Sequence, residues 1–542
     1  MSLHHSPGQP GLNEVDNNTV EELLTAALSD QSIARLRWLC CLAFLALFGY
    51  YIAVSLRWPI VWDAQVMHYV RFLLTRGLQP YSDITDMNMP GTYLTEGWAM
   101  AVFGWGDLAW RIYEFFLLAV LTVSGMVIGG SRRWFAGLFA AAFFLAMHAS
   151  EGPLFAVERD EVMLVLLVAS VAVFFVAMRR NRAWLMLPFG LLNGLAISLK
   201  PTSLLLDVAL LIMAYVIMRR REQPAVDFLL FGLLGNLAIG TLLLNFLKRH
   251  HAVAGFLFIL RTVLPAYGHS SNASGASHLF RHFMPPALLP LLALALLAAA
   301  LNRAPADWER LTLWIGFLAG AISYFLQGKG APYHRYMFVL FLTLWIGWEL
   351  AGAMHRAAFA PRLVGVLGSL VLFLLVVPYY VVIVHRDAPK GRDPLQLALA
   401  LDRDLTQLGG DQLQRQVECL DLVNGCLNAL YRMRLVGNTG MTGDLLLFDP
   451  HGGPATDFYR NWLQTRQNAD PANVVILGDE WYQNGQPSFS KIDTWPEFAS
   501  FLHTDYVPVV ERHFEAGNTH AYRIYLRKGS AVLASEQANP LQ

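Results

Sequence analysis

Apolar runs of about 17–25 residues with few charges recur along the chain, each long enough for one crossing of a bilayer's hydrocarbon core. They begin near Trp38, Ala109, Trp134, Val162, Trp184, Ser203, Phe228, Pro285, Leu311, Tyr336 and Leu363, which predicts eleven transmembrane helices. The short linkers SRR at 131, RRNR at 179, RRRE at 219, NRAPADWER at 302 and HRAAFAPR at 355 are rich in arginine. Such linkers stay on the cytoplasmic side of a membrane. With a polar, acidic leader over 1–36 on that same side, every one of them falls after an even number of crossings. The stretch 184–218 is over-long for one span, and the KPTS break at Lys200 reads as the tip of a hairpin between two short helices. The leader lacks a secretory signal, and its NNTVEELLTAALSD segment has helical spacing.

This parity puts residues 57–107, 148–160, 248–284 and 327–335, and everything after 385, on the periplasmic face. The loop 57–107 is far longer than a connection needs, a usual sign of function, and its VMHYVRFLLTRG segment reads as an amphipathic helix lying along the membrane surface. From Asp387 onward the chain turns polar. RDPLQLALALDRDLTQLG and TWPEFASFLH have helical spacing, while VECLDLV, NVVILGD and YRIYLRK have strand character. The expected architecture is a mainly α, polytopic membrane domain over 37–385 followed by a soluble, periplasmic α/β domain over 386–542.

Composition agrees with that frame: 55% of the residues are hydrophobic and 15% charged, against about 25% charged in soluble proteins. The net charge of zero gives no footing for nucleic-acid binding. Cys40 and Cys41 sit inside the first apolar run as packing residues. Cys419 and Cys426 flank CLDLVNGC in a compartment expected to be oxidising, so a disulfide between them is expected; their spacing does not suit a zinc ribbon.

The polar residues that carry chemistry gather on the periplasmic side. Asp63 follows the first span by a few residues, where a carboxylate at the bilayer boundary needs a task, a partner or a capping role for the next helix. Asp83 and Asp86 flank a turn-like SDITD, and suit either turn or site. Glu158, Arg159, Asp160 and Glu161 open the fourth span, favoured there by the helix dipole and suggestive of a charge network. Lys200, at the hairpin tip, is either an anion ligand or a snorkelling lysine. QGKGAPYHRY sets Lys329 between two glycines, followed by Tyr333, His334 and Arg335, donors that suit a phosphate or a lipid headgroup. Arg261 adds a further cation, and no HxxxH or HExxH pattern argues for a metal.

A periplasmic first loop with an acid just after helix one, then G-x-x-P-Y-x-D and P-G, resembles the GT-C superfamily of membrane glycosyltransferases. The likeness is strongest to the family-39-like bacterial enzymes, related to protein O-mannosyltransferases and lipid A aminoarabinose transferases, and covers about the first 385 residues. It implies an inverting glycosyltransferase of the bacterial inner membrane that takes a sugar from a polyprenyl-phosphate donor. Asp63 matches the catalytic aspartate, Asp160 or Glu161 the acid of the second outer loop, LKPT the lysine-bearing hairpin, and Lys329 with Tyr333 the K-x-x-x-Y phosphate loop; Arg261 matches an arginine after helix seven. The paired D-E of protein mannosyltransferases is absent, since Ala64 follows Asp63, so a protein acceptor is not implied. No cofactor is required, the partners are membrane lipid and the lipid-linked donor, and the acceptor is open among glycan, lipid and protein.

Two other classes fit many helices. A flippase or transporter would show inverted repeats with helices broken at the midplane, which the chain lacks. An O-antigen-ligase or polymerase-like enzyme using a pyrophosphate-linked glycan carries its large loop late, whereas here the early loop holds the motif.

Overall fold

The computed structural model describes residues 28–271, 276–302, 307–387, 393–421, 425–481, 487–514, 520–538 and 541. The leader helix expected upstream lies, up to residue 27, outside them. The membrane domain runs α1 (Asp30–Ser55), α2 (Asp63–Thr75), α3 (Pro90–Phe103), α4 (Asp107–Arg133), α5 (Phe135–Glu151), α6 (Arg159–Arg180), α7 (Met186–Leu199), α8 (Leu204–Arg220) and α9 (Ala225–Arg249). It continues through α10 (Val253–Phe258), a π turn (Ile259–Val263), α11 (Leu264–Ser271), α12 (Ala276–Phe283), α13 (Leu289–Asn302), α14 (Trp308–Gln327), α15 (Tyr336–Met354), α16 (Phe359–Val371) and α17 (Val377–Asp387).

Each of the eleven apolar runs is helical, but they differ in length. Seven helices among the described residues are long and apolar enough to span a membrane, and an eighth is a pair, Ser277–Phe283 and Pro286–Asn302, bent by 47°. Phe135–Glu151 and Ala183–Leu199 are shorter. Helix α5 is buried from Phe135 to Ala149, and a helix whose ends meet protein rather than headgroups need not match the bilayer thickness. It packs on α4 backbone to backbone: a Cβ on Gly137 would lie 2.1 Å from the Gly125 carbonyl carbon, the small-residue contact typical of membrane bundles.

The arginine-rich linkers meet at one end of the bundle. Arg221 donates to Met178 O at 2.7 Å, Arg179 to Glu309 at 2.8 Å and to Ile128 O at 2.5 Å, and Arg310 to Glu349 at 2.5 Å. Lys200, by contrast, pairs with Asp160 at the start of α6, so α7 and α8 do run up to and away from a tip at Lys200.

The soluble domain consists of α18 (Asp393–Leu408), β1 (Val417–Leu420), α19 (Cys426–Met433), α20 (Pro454–Ala469), β2 (Val474–Gly478), α21 (Pro496–Asp505), β3 (Tyr506–Phe514), β4 (His520–Arg527) and α22 (Ala531–Ala538). Its sheet has the order β1-β2-β4-β3, with β1 and β2 parallel and the other pairs antiparallel. Strand β3 was not anticipated: YVPVVERHF alternates only loosely and contains a proline, which suits its place at the sheet edge. Cys419 and Cys426 form the expected disulfide, tying β1 to α19.

The expectation for the first loop needs correction. The amphipathic segment is helical, as α2, but Ala64, Gln65, Met67, His68, Tyr69, Val70, Phe72, Leu73 and Leu74 are all buried. Its faces are covered by protein rather than lying on lipid, because α19 of the soluble domain packs against it: Asn428 Nδ2 donates to Ile60 O at 2.7 Å, and Tyr69 OH accepts from Gly437 N at 2.7 Å.

Candidate active site

Trp62 turns the chain into α2 with φ 57° and ψ −138°, a conformation that costs an L residue energy and so marks a position held by its surroundings. The turn makes Asp63 the first residue of α2 rather than its cap. Its carboxylate accepts no hydrogen bond from its own helix; it faces Tyr333 OH at 3.4 Å and Arg159 Nη2 at 3.7 Å. The capping role therefore falls away.

Asp63, Arg159, Lys329 and Tyr333 line one cavity of about 320 Å³, together with Trp62, Asn88, Tyr267, Tyr459 and Glu480. Lys329 sits between Gly328 at φ 66° and Gly330 at φ 70°, left-handed positions that only glycine takes without cost and that turn the lysine inward. Its ammonium lies 3.0 Å from the centroid of the Tyr267 ring, a cation–π contact. Among the described residues it has no ion-pair partner. Burial, with Arg159 and Lys200 nearby, holds its pKa down at about 7. A cation so placed is short of one negative charge.

The loop between α5 and α6 supplies the site and its support. Glu158 is fully buried, with neither carboxylate oxygen hydrogen-bonded; burial and then Asp63 push its pKa well above the usual carboxylate range. Asp160 does not line the cavity. Both its oxygens accept from Lys200 Nζ at 2.7 Å, so Asp160 and Lys200 neutralise each other, with the ammonium 5.9 Å from the Tyr333 ring. Glu161 turns away, taking Val157 N–H at 2.8 Å and lying 3.4 Å from His148. His148 also meets Glu114 at 3.0 Å and Tyr336 OH at 2.8 Å, while Arg111 and Tyr51 donate to Glu114 at 2.8 and 2.6 Å. Glu114, His148 and Glu161 offer atoms within 4.8 Å of one another, but the Arg111 guanidinium already supplies positive charge there. The network braces the turn at Val157, which has φ 56°, and through it Glu158 and Arg159.

Several further candidates are placed elsewhere. Arg335 donates to His282 O at 2.6 Å and Glu151 at 3.0 Å, tying the ends of α12 and α5. His334 is buried edge-on against Tyr333, and Arg261 is exposed in the π turn; neither lines the cavity. Asp83 accepts from Gln79 N at 2.8 Å and is a turn residue. Asp86 does line the cavity, yet spends its oxygens on Asn88 Nδ2 at 2.8 Å and Tyr93 OH at 3.0 Å, so it shapes the loop that presents Asn88. Burial raises its pKa against those hydrogen bonds. Tyr267, Asn88, Tyr459 and Glu480 went unnoticed in the sequence. Tyr267 closes the string that holds Arg261, whereas Tyr459 and Glu480 stand in an unrelated domain with no local signal.

No family model matches the chain, and neither does any curated protein. Solved structures do. ArnT from Cupriavidus metallidurans bound to undecaprenyl phosphate aligns with a TM-score of 0.53 at 14% identity, over 89% of this chain and 97% of that one. The Archaeoglobus fulgidus oligosaccharyltransferase tethered to an acceptor peptide aligns at 0.51 and 12% identity, over 92% and 77%. Archaeal AglB in complex with an inhibitory peptide and a dolichol-phosphate aligns at 0.50 and 9% identity, over 92% and 77%. At such identity it is architecture that is shared, membrane helices and soluble domain together, and the chain has the GT-C fold that its sequence resembles.

Proposed function

We propose that the protein is an inverting glycosyltransferase that moves one sugar from a polyprenyl-phosphate donor to an acceptor hydroxyl at the periplasmic face of a bacterial inner membrane. The observation that carries this reading is Lys329: a half-buried ammonium without an anion among the described residues, in one cavity with Arg159, the Tyr333 hydroxyl and Asp63. A phosphate completes that group, and two of the structural neighbours hold a polyprenyl phosphate.

Asp63 then takes the proton of the acceptor hydroxyl as its oxygen attacks the anomeric carbon. The bond from that carbon to the phosphate oxygen breaks on the opposite side, the configuration inverts, and polyprenyl phosphate leaves with the electron pair. Lys329, Arg159 and the Tyr333 hydroxyl stabilise the charge that grows on the leaving group, an effect strengthened by exclusion of water. The Asp160–Lys200 pair stands behind this group as a mutually neutralised ion pair and leaves its positive charge to the phosphate. No step in this scheme calls for a metal ion.

A pyrophosphate-linked glycan is the second reading. The cavity, at about 320 Å³, lies at the small end of ligand pockets and suits one sugar ring better than an oligosaccharide. Mass spectrometry of envelope glycolipids and glycoproteins from a deletion strain decides between them. Loss of one monosaccharide, restored by the parental gene and not by Asp63→Asn, is the expected result. Loss of a whole glycan chain, or restoration by Asp63→Asn, rules the first reading out.

A further inference from the structure

Phosphate chemistry accounts for only part of the cavity wall. Three polar atoms on it have no protein partner among the described residues. The amide of Asn88 is gripped by Asp86 through Nδ2, which leaves Oδ1 open. Tyr459, 3% exposed, makes no hydrogen bond through its hydroxyl. Glu480 has Oε2 buried and unbonded. Of these only Glu480 Oε2 is itself buried, and a buried polar atom without a partner costs on the order of 1–3 kcal/mol; with the unpaired Asn88 oxygen and Tyr459 hydroxyl on the same cavity, one ligand accounts for all three.

These groups come from two domains that are fastened together at this point. Thr85 of the first loop donates its N–H to Gly440 O at 3.1 Å and receives Thr442 Oγ1 on its carbonyl at 2.5 Å, and Thr85 and Met441 form a parallel bridge. Gly440, at φ 74°, lets the strands touch: a Cβ there would lie 1.9 Å from Asp83 O. Phe258, from the helix before the π turn, packs at a tilt against Phe458 with ring centroids 4.6 Å apart. Beneath the wall the buried Lys491 pairs with Asp444 and donates to Glu480 O at 3.0 Å, which sets the position of Glu480. The wall is therefore built before any ligand arrives.

We infer that Asn88, Tyr459 and Glu480 form the subsite for the sugar ring of the lipid-linked donor, so that the soluble domain reads the sugar. The inference rests on the polyprenyl-phosphate reading above. A sugar joined to a phosphate at Lys329 has to occupy the same small cavity, and its hydroxyls supply both donors and acceptors. Burial, with Asp421 and Asp444, pushes Glu480 up to about 8 against Lys491, so at neutral pH it can donate as well as accept. Trp62 adds an aromatic surface to the lining.

The test uses the full chain in lipid nanodiscs and compares undecaprenyl phosphate with undecaprenyl-phosphate monosaccharides carrying a hexose, a pentose or an amino-hexose. The parental protein is expected to bind at least one of the sugar-bearing lipids about tenfold more tightly than undecaprenyl phosphate. Tyr459→Phe and Glu480→Leu should each erase that gain and leave undecaprenyl phosphate binding unchanged, which also shows that the variants are folded. The subsite is refuted if no sugar adds affinity, if the gain survives both substitutions, or if both variants weaken undecaprenyl phosphate equally. A parental protein that does not bind undecaprenyl phosphate at all overturns the proposed function itself, and this inference with it.

Discussion

Tyr333 donates to Asp63 Oδ2 across 3.4 Å, joining two residues 270 positions apart in the chain. Arg159 reaches the same oxygen at 3.7 Å. The proposed base thus touches two of the proposed leaving-group ligands, one by a hydrogen bond and one as an ion pair, so a change at Asp63 is felt by the phosphate site, and the reverse.

Asp63→Asn keeps the size of the side chain and removes its basicity. Transfer should fall by about 100- to 10,000-fold, the usual worth of a positioned base, while undecaprenyl phosphate still binds. Single-turnover assays in proteoliposomes, with binding measured on the same preparation, check this; parental turnover by the variant would remove Asp63 from the chemistry.

Lys329, held near pH 7, makes anion binding pH-dependent. An arriving phosphate favours the ammonium, so affinity for undecaprenyl phosphate should weaken as pH rises through about 7, with uptake of one proton on binding. Lys329→Arg, charged at every accessible pH, should flatten the profile. The phosphate's own second ionisation, near pH ~6, is common to both proteins and cancels in their difference. The sign for stability follows from the lowered pKa. Between about 7 and the ordinary lysine value of 10.5 the unfolded chain binds the extra proton, so folding gains stability as pH rises through that window. Parallel pH curves for the two proteins would show that Lys329 does not meet the phosphate.

Arg310 and Glu349 form a buried pair at the arginine-rich end of the bundle, with N···O distances of 2.5 and 2.8 Å. Glu349→Ala takes the carboxylate from a buried guanidinium and should cost about 3–5 kcal/mol, seen as a lower melting midpoint, whereas Arg310→Met with Glu349→Leu should recover most of it. Per-molecule transfer by the folded fraction should not change, because the pair is remote from the cavity.

The Cys419–Cys426 disulfide closes a short loop, and the chain-entropy estimate for replacing both with serine is about 2–3 kcal/mol. Helix α19, which begins at Cys426, holds the backbone at Ile60 through Asn428, only a few residues before Asp63. Reducing conditions should therefore lower transfer as well as the melting midpoint of the parental protein, and leave the double serine variant unaffected.

Much of the site's chemistry was legible in local strings. The glycine-flanked Lys329, Tyr333 four residues on, and an acid just past the first span are arrangements of neighbours in sequence, and all three residues line the cavity. Asp160 and Lys200 looked equally eligible, and geometry turned them toward each other. Glu161 differs from Asp160 by one position, about 100° around a helix, and that rotation sends it into the His148 network instead.

The sequence by itself determined where the apolar helices and three of the four strands run, because apolar length and periodicity are local quantities that burial rewards segment by segment, whereas short helices such as Pro90–Phe103, Cys426–Met433 and Pro454–Ala469 were not legible in it. It also determined which linkers gather at one end, since arginine is costly within a bilayer and short loops cannot hide it. Only the tertiary structure decided which polar side chains share a cavity, and that Tyr459 and Glu480 belong to it. Those choices depend on the rotation of packed helices and the docking of a distant domain, and the distances that govern Coulomb and hydrogen-bond energies do not exist until the chain has closed on itself.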